Sequence, residues 1–128
     1  MTGTRYSECF CLVPDVEVTR EFYESALRLE PNAETDHSVS YGVEGTTLKF
    51  QADYPPEIFE SFNLDPPENT SRGEGVFIVL SLSDPLEEVY QRVKNSAGSA
   101  LFAPRCVDWL DGKMFLAKDP YGYTLELR

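Results

Sequence analysis

The order of apolar runs, helical stripes and turns predicts an α+β fold of two paired βαβββ units. Three observations carry it. The order strand, helix, three strands occurs twice in 128 residues. An aspartate heads each helical stripe, Asp15 in the first half and Asp84 in the second. Thr47-Leu48-Lys49-Phe50 closes the first half as Thr124-Leu125-Glu126-Leu127 closes the second. Each unit alone would expose one side of its sheet, so the two must pair. Unit one spans 5–52, a connector 53–74 and unit two 75–128, all within one domain.

Ser7 to Val13 is a short apolar run that reads as a strand ending at Pro14-Asp15. Asp15 is placed to cap a helix from Val16 to Leu29, with Glu17 and Glu21 near its positive end. Phe22, Ala26 and Leu29 follow helical spacing, widened by Tyr23 and Leu27, and Pro31 stops the helix. Val39, Tyr41 and Val43 alternate as a strand, Glu44-Gly45 suits a hairpin turn, and Thr46 to Gln51 returns. Asp53 to Glu74 is polar and proline-rich, a connector with one helical turn around Ile58 to Phe62. Val76 to Leu82 is the strongest strand signal. Asp84 is then placed to cap a helix over Pro85 to Ala97, with Pro85 at its first position and Gly98 past its end. Ala100 to Ala103, Gly112 to Lys118 and Tyr123 to Arg128 read as strands, the last two joined by the turn Asp119-Pro120-Tyr121-Gly122.

Twenty-two acidic residues face eleven basic ones, a net charge of −11. Such a surface repels phosphate backbones and excludes general nucleic-acid binding. It suits a cationic ligand, and it equally suits simple solubility or a salt-rich cytoplasm. No apolar run approaches the ~20 residues of a membrane span, and the N-terminus shows no secretory h-region. The three cysteines, Cys9, Cys11 and Cys106, make no disulfide framework and no CxxC motif. Cys9 and Cys11 read as small buried hydrophobes on one strand face, in keeping with a cytoplasmic setting.

Val13-Pro14-Asp15, followed by Phe22-Tyr23 and Ala26-Leu27-Arg28-Leu29-Glu30, resembles the "VPD…FY…LGLE" opening of the vicinal oxygen chelate superfamily. That superfamily holds glyoxalase I, bleomycin-resistance proteins, extradiol dioxygenases and fosfomycin-resistance enzymes. Phe115 to Leu127 resembles its "F-x-D-P-D-G-x-x-x-E-L" ending. The likeness covers nearly the whole chain except the connector. Both motifs are specific for the fold and nearly silent about substrate, so function is argued from the site.

The resemblance implies that the two βαβββ units pair into an open, cup-shaped mixed sheet with the helices on the convex side, and that in metal-using members four side chains, from the first and last strands of each unit, hold a divalent metal ion in the cup. The matching positions are Glu8, Lys49, Ile78 (or Phe77, one register step away) and Glu126. Ile78 has no donor atom, and Lys49 brings an ammonium to the place of a cation. The expectation is therefore no cofactor, with an ion-paired cluster Glu8–Lys49–Glu126 in the metal's place. The alternative is one divalent ion on Glu8 and Glu126 with His37 recruited nearby. His37 otherwise reads as a surface residue or a catalytic base. Strand alternation turns Phe10 and Leu12 inward with Glu8. Trp109 stands in an acidic loop, placed either to cover a planar ligand or to pack against the connector.

Two functions follow. One is a metal-free protein resembling bleomycin-resistance proteins, holding a small ligand with Glu8, Phe10, Lys49, Trp109 and Glu126 in an acidic, aromatic-lined cup. The other is a metal-dependent lyase or dioxygenase acting on a small oxygenated substrate. The resemblance also implies a homodimer, which would cover apolar strand surface. Sedimentation should show a species of twice 14.5 kDa at micromolar concentration, and a clean 14.5 kDa monomer would remove this expectation.

Overall fold

The computed structural model describes residues 3–4, 6–43, 45–67 and 72–128. Unit one opens with β1 (Cys9–Val13) and α1 (Val16–Glu21), which widens into a π-helical turn over Phe22–Ala26. β2 (Ala33–Thr35), β3 (Ser38–Val43) and β4 (Thr46–Ala52) follow, and the connector holds a short helix, α2 (Pro56–Ser61). Unit two comprises β5 (Phe77–Leu80), α3 (Leu86–Lys94), β6 (Ser99–Ala100), β7 (Arg105–Cys106), β8 (Lys113–Lys118) and β9 (Thr124–Leu127). The two open sheets run β1-β4-β3-β2 and β5-β9-β8-β6, with β7 paired to β8. In each, the first and last strands lie parallel, β1 on β4 and β5 on β9, and the hairpins are antiparallel. This is the α+β arrangement of two similar units that the sequence predicts. Among the described residues no helix is long and apolar enough to cross a membrane.

One local expectation at a helix start holds and two others change. Asp15 caps α1, accepting the N–H groups of Glu17 at 2.9 Å and Val18 at 3.4 Å. Asp84 does not cap α3, because its carboxylate is taken by Arg92 at 2.7 Å, with Arg28 at 3.7 Å. The strand expected over Ala100 to Ala103 shrinks to Ser99–Ala100, and β7 is an additional pairing after Pro104. Residue 44 of the expected Glu44-Gly45 turn lies outside the described residues.

The π-helical turn has a packing reason. Phe22 and Tyr23, then Ala26 and Leu27, are consecutive residues that are all buried. The widened turn brings both of these pairs toward the core. The Leu27 N–H accordingly reaches back to the Phe22 carbonyl at 3.3 Å. Tyr23 then lies on Phe50 with ring centroids 4.5 Å apart, beside Tyr41.

The same Tyr23 binds the units together. Its hydroxyl donates to Asp119 Oδ2 at 2.8 Å, across 96 residues of chain. Asp119 Oδ1 accepts the N–H groups of Tyr121 at 2.9 Å and Tyr123 at 3.0 Å. From the α3 side, Arg92 Nε donates to the Ala26 carbonyl at 2.8 Å. Val13, Phe50, Val39, Val89, Phe115 and Leu127, drawn from both units, close one shared core.

Tyr23→Phe would remove one donor from a buried carboxylate and should lower unfolding free energy by about 1–2 kcal/mol in urea titration. Burial holds the Asp119 carboxyl above its ordinary 3.8, opposed by the Tyr23 hydroxyl and the turn N–H groups. The folded protein therefore keeps this proton more readily than the unfolded chain, and the group's contribution to stability falls as pH rises above 3.8. The wild type should lose stability relative to Asp119→Asn through that window and then hold a constant difference. A difference flat across the whole range would show that Asp119 titrates normally.

Candidate functional site

Strand register sorts the side chains into two faces. Cys11, Phe50 and Val39 are register partners and look toward the helices, as do Ile78, Leu125 and Ala117 in unit two. Phe10 pairs with Lys49 and Lys49 with Ser40, so these occupy the opposite, outward face of the first sheet. Val79, Glu126 and Leu116 share the outward face of the second. Alternation from Val79 puts Phe77 on that outward face and Ile78 on the helix side. The third mapped position is therefore Phe77 and not Ile78.

The predicted site residues do not all converge. Phe10 and Lys49 are neighbours on adjacent strands, and Glu8 precedes β1 as an exposed residue. Glu126 lies in the other sheet, where its partner is Arg128 at 3.6 Å. Among the described residues Lys49 makes no ion pair, so the cluster Glu8–Lys49–Glu126 is absent. The reason is hydration. Lys49 keeps partial access to water, Glu8 is exposed, and two long side chains gain little by meeting in water. Trp109 is 74% exposed and has no aromatic partner among the described residues.

His37 sits in the β2–β3 turn, where its carbonyl accepts the Ala52 N–H at 2.8 Å. Cys9, next to Glu8, pairs with Leu48, four residues away along β4 and so about 13 Å distant. His37 thus stands at the opposite end of the sheet from Glu8 and cannot share an ion with it. Among the described residues no three His, Cys, Asp or Glu side chains are grouped to hold a metal ion. The mapped set, Glu8, Lys49, Phe77 and Glu126, does not fit a divalent cation that wants several oxygen donors around one point.

The main concavity is elsewhere. A cavity of about 550 Å³ lies along β5, where it approaches the start of β4. Cys9, Tyr41, Leu48 and Thr46 form one wall, Phe77 to Leu82 the other, with Tyr6 and Leu29 at the margins. Among the described residues none that lines it is charged. Among those described residues the expected acidic wall is therefore missing from it. Cys9, expected to be buried, is exposed and faces this space, while burial pushes the Cys11 thiol up to about 12. Tyr41 closes the floor, its hydroxyl donating to Glu24 at 2.8 Å, and Arg20 holds the Glu24 carboxyl below its usual range.

The other junction between units is filled. The Tyr123 hydroxyl donates to the Leu12 carbonyl at 2.7 Å, and Arg72 Nη1 donates to the same oxygen at 2.7 Å. Arg72, its side chain 1% exposed, also grips Asp53 through two contacts of 2.6 Å. Gly73, at φ +72, lies against the Tyr123 ring, where a Cβ would collide with it. Burial pushes the Tyr123 phenol up to about 12, so it is a donor at neutral pH. Hydropathy patterning did not reveal Tyr41, Leu48 or Leu80 as cavity walls, because a wall of this kind has the same apolar pattern as a core.

A family model described as the Glyoxalase/Bleomycin resistance protein/Dioxygenase superfamily matches residues 5–127. A glyoxalase-related enzyme from Fulvimarina pelagi is similar in structure, with TM-score 0.78 at 14% identity over 96% of this chain and 86% of that one. A glyoxalase/bleomycin resistance protein/dioxygenase from Nocardioides has TM-score 0.69 at 18% identity, over 98% and 84%. A glyoxalase/bleomycin resistance protein from Albidiferax ferrireducens has TM-score 0.67 at 20% identity, over 95% and 96%. These likenesses show the fold. No curated protein matches the sequence.

Arg72→Met would leave Asp53 without its cation and the Leu12 carbonyl short of a donor. Asp53 retains some contact with water, so the loss in chemical unfolding should be about 2–3 kcal/mol, below that of a fully buried pair. An unchanged midpoint would show that the connector is not tied down there.

Proposed function

The chain belongs to the Glyoxalase/Bleomycin resistance protein/Dioxygenase superfamily, and from that premise we propose that it is a metal-independent binding protein for a small neutral molecule. The observation that carries this reading is the cavity of about 550 Å³ between the units. Its size falls in the range of roughly 300–1,000 Å³ typical of ligand sites, and its walls are apolar with a few hydroxyl and backbone groups. The mapped metal positions support the same reading, since Lys49 and Phe77 offer no ligand to a cation at neutral pH. A charged ligand would lose hydration in this space and gain no counter-charge from its walls. The absence of charge among the described residues of those walls turns the choice from a cationic to a neutral ligand. The homodimer is part of this proposal, supported by the exposed outward side chains of Phe10 and Phe77.

Protein purified without chelator should hold no stoichiometric Ni, Zn, Fe or Mn, and EDTA should leave its melting temperature unchanged. A neutral small-molecule library should raise that temperature for at least one compound. Leu48→Trp, which fills the cavity wall, should abolish the shift. Stoichiometric metal, or a shift indifferent to Leu48→Trp, would overturn the proposal.

A further inference from the structure

We infer that this cavity takes a neutral aromatic molecule bearing one hydrogen-bond donor, seated where the side chain of Tyr123 sits at the other junction. The inference rests on the reading that the cavity is a small-molecule seat, and it names the class of that molecule. It comes from laying one unit on the other. Phe10 pairs with Lys49 and Val79 with Glu126, so Phe10 corresponds to Val79 and Leu12 to Ser81. The repeated Thr-Leu-x-x text makes Thr46 correspond to Tyr123.

The corresponding places are finished differently. On β1, the N–H and C=O groups of alternate residues point to β4 or to a free edge, and Leu12 points its carbonyl to the free edge. That oxygen is met by the Tyr123 hydroxyl and by Arg72, and the Tyr123 ring packs on Phe50 at a centroid distance of 6.3 Å. On β5, the Leu80 carbonyl and the Leu82 N–H are used by Arg128 of the last strand. Ser81, between them, points its carbonyl to the free edge, and among the described residues that carbonyl receives no hydrogen bond. Thr46 is too short to do there what Tyr123 does at Leu12, and its place opens into the cavity.

The vacancy therefore has a definite chemistry. Leu48, Ile78 and Leu80 supply apolar walls, and Tyr41 supplies a ring for edge or offset contact. An unpaired strand-edge carbonyl at the mouth asks for an O–H or N–H donor. With no charged residue among the described residues of the lining, a neutral donor such as a phenol suits it better than an ammonium or a carboxylate. The chain itself shows the solution at the symmetric position, a ring plus one hydroxyl.

The test compares 2-naphthol, its methyl ether 2-methoxynaphthalene, and the alicyclic cis-decalin on wild type and on Thr46→Tyr, by calorimetry and by alkylation of Cys9. Wild type should bind 2-naphthol at least tenfold more tightly than the ether, a ratio equal to about 1.4 kcal/mol. Thr46→Tyr should supply the missing side chain itself, losing at least tenfold in affinity while melting no lower than wild type. Bound 2-naphthol should slow alkylation of Cys9, which lines the cavity, and leave exposed Cys106 unaffected. This protection reads the site even if Thr46→Tyr does not fold. Equal affinity for naphthol and ether, or tighter decalin binding, together with Cys9 protection, would overturn the aromatic-donor class and leave the small-molecule reading standing. No protection of Cys9 by any of the three, with Cys9 already shielded at concentrations that favour dimers, would assign the cavity to a second copy and overturn both.

Discussion

The buried Asp119 carboxylate is the constraint on which the rest of the molecule depends. One oxygen holds the turn by accepting two backbone N–H groups, and the other receives Tyr23 from the opposite unit. Neither function can be dropped alone. Without the turn bonds, Tyr123 would not be presented to β1. Without Tyr23, the helix of unit one would lose its polar anchor in unit two. A carboxylate in such surroundings is costly to bury, and three donors offset part of that cost. Tyr23 reaches Asp119 from within the π-helical turn over Phe22–Ala26 while its ring packs on Phe50.

From that anchor the asymmetry of the two halves follows. A parallel pairing of first and last strands leaves one edge of β1 and one edge of β5 without a strand partner. Unpaired backbone edges must be covered, hydrated or filled. At β1 the longer turn around Asp119 carries Tyr123 into place, and the connector adds Arg72 with its ion pair to Asp53. At β5 the tighter β3–β4 hairpin brings Thr46, and the edge stays open. One repeated design thus yields a sealed junction that stabilises the fold and an unsealed one that leaves room for a ligand.

Most of the fold was legible because it rests on short-range signals. Asp15 followed by two acidic-rich helical turns specifies a cap, and the Asp119-Pro120-Tyr121-Gly122 turn specifies a tight hairpin. The doubled Thr-Leu-x-x ending announces a duplicated unit. What stayed hidden depends on competition between distant groups. Asp84 resembles a cap by position, yet Arg92, eight residues on, takes its carboxylate. Lys49 and Glu126 looked like partners because both sit on last strands, yet they belong to different sheets. Placing Ile78 or Phe77 required a register good to one residue, and alternation inverts the answer with a single step. The cavity escaped because Leu48, Ile78 and Leu80 carry the same apolar signature whether their neighbours fill the space or not.

The position of the charge bears on how such a site could choose its ligand. The chain carries a net charge of −11, and among the described residues the cavity lining has no carboxylate. A negative field of that size repels anions from the mouth before any contact is made, within about a Debye length of 8 Å at physiological salt. Cations are drawn to the surface but find no partner inside, and entering would strip their water without return. Neutral molecules are indifferent to the field and gain from the apolar walls. Selection against charge of either sign therefore comes from two separate features, a surface that rejects one sign and an interior that rewards neither.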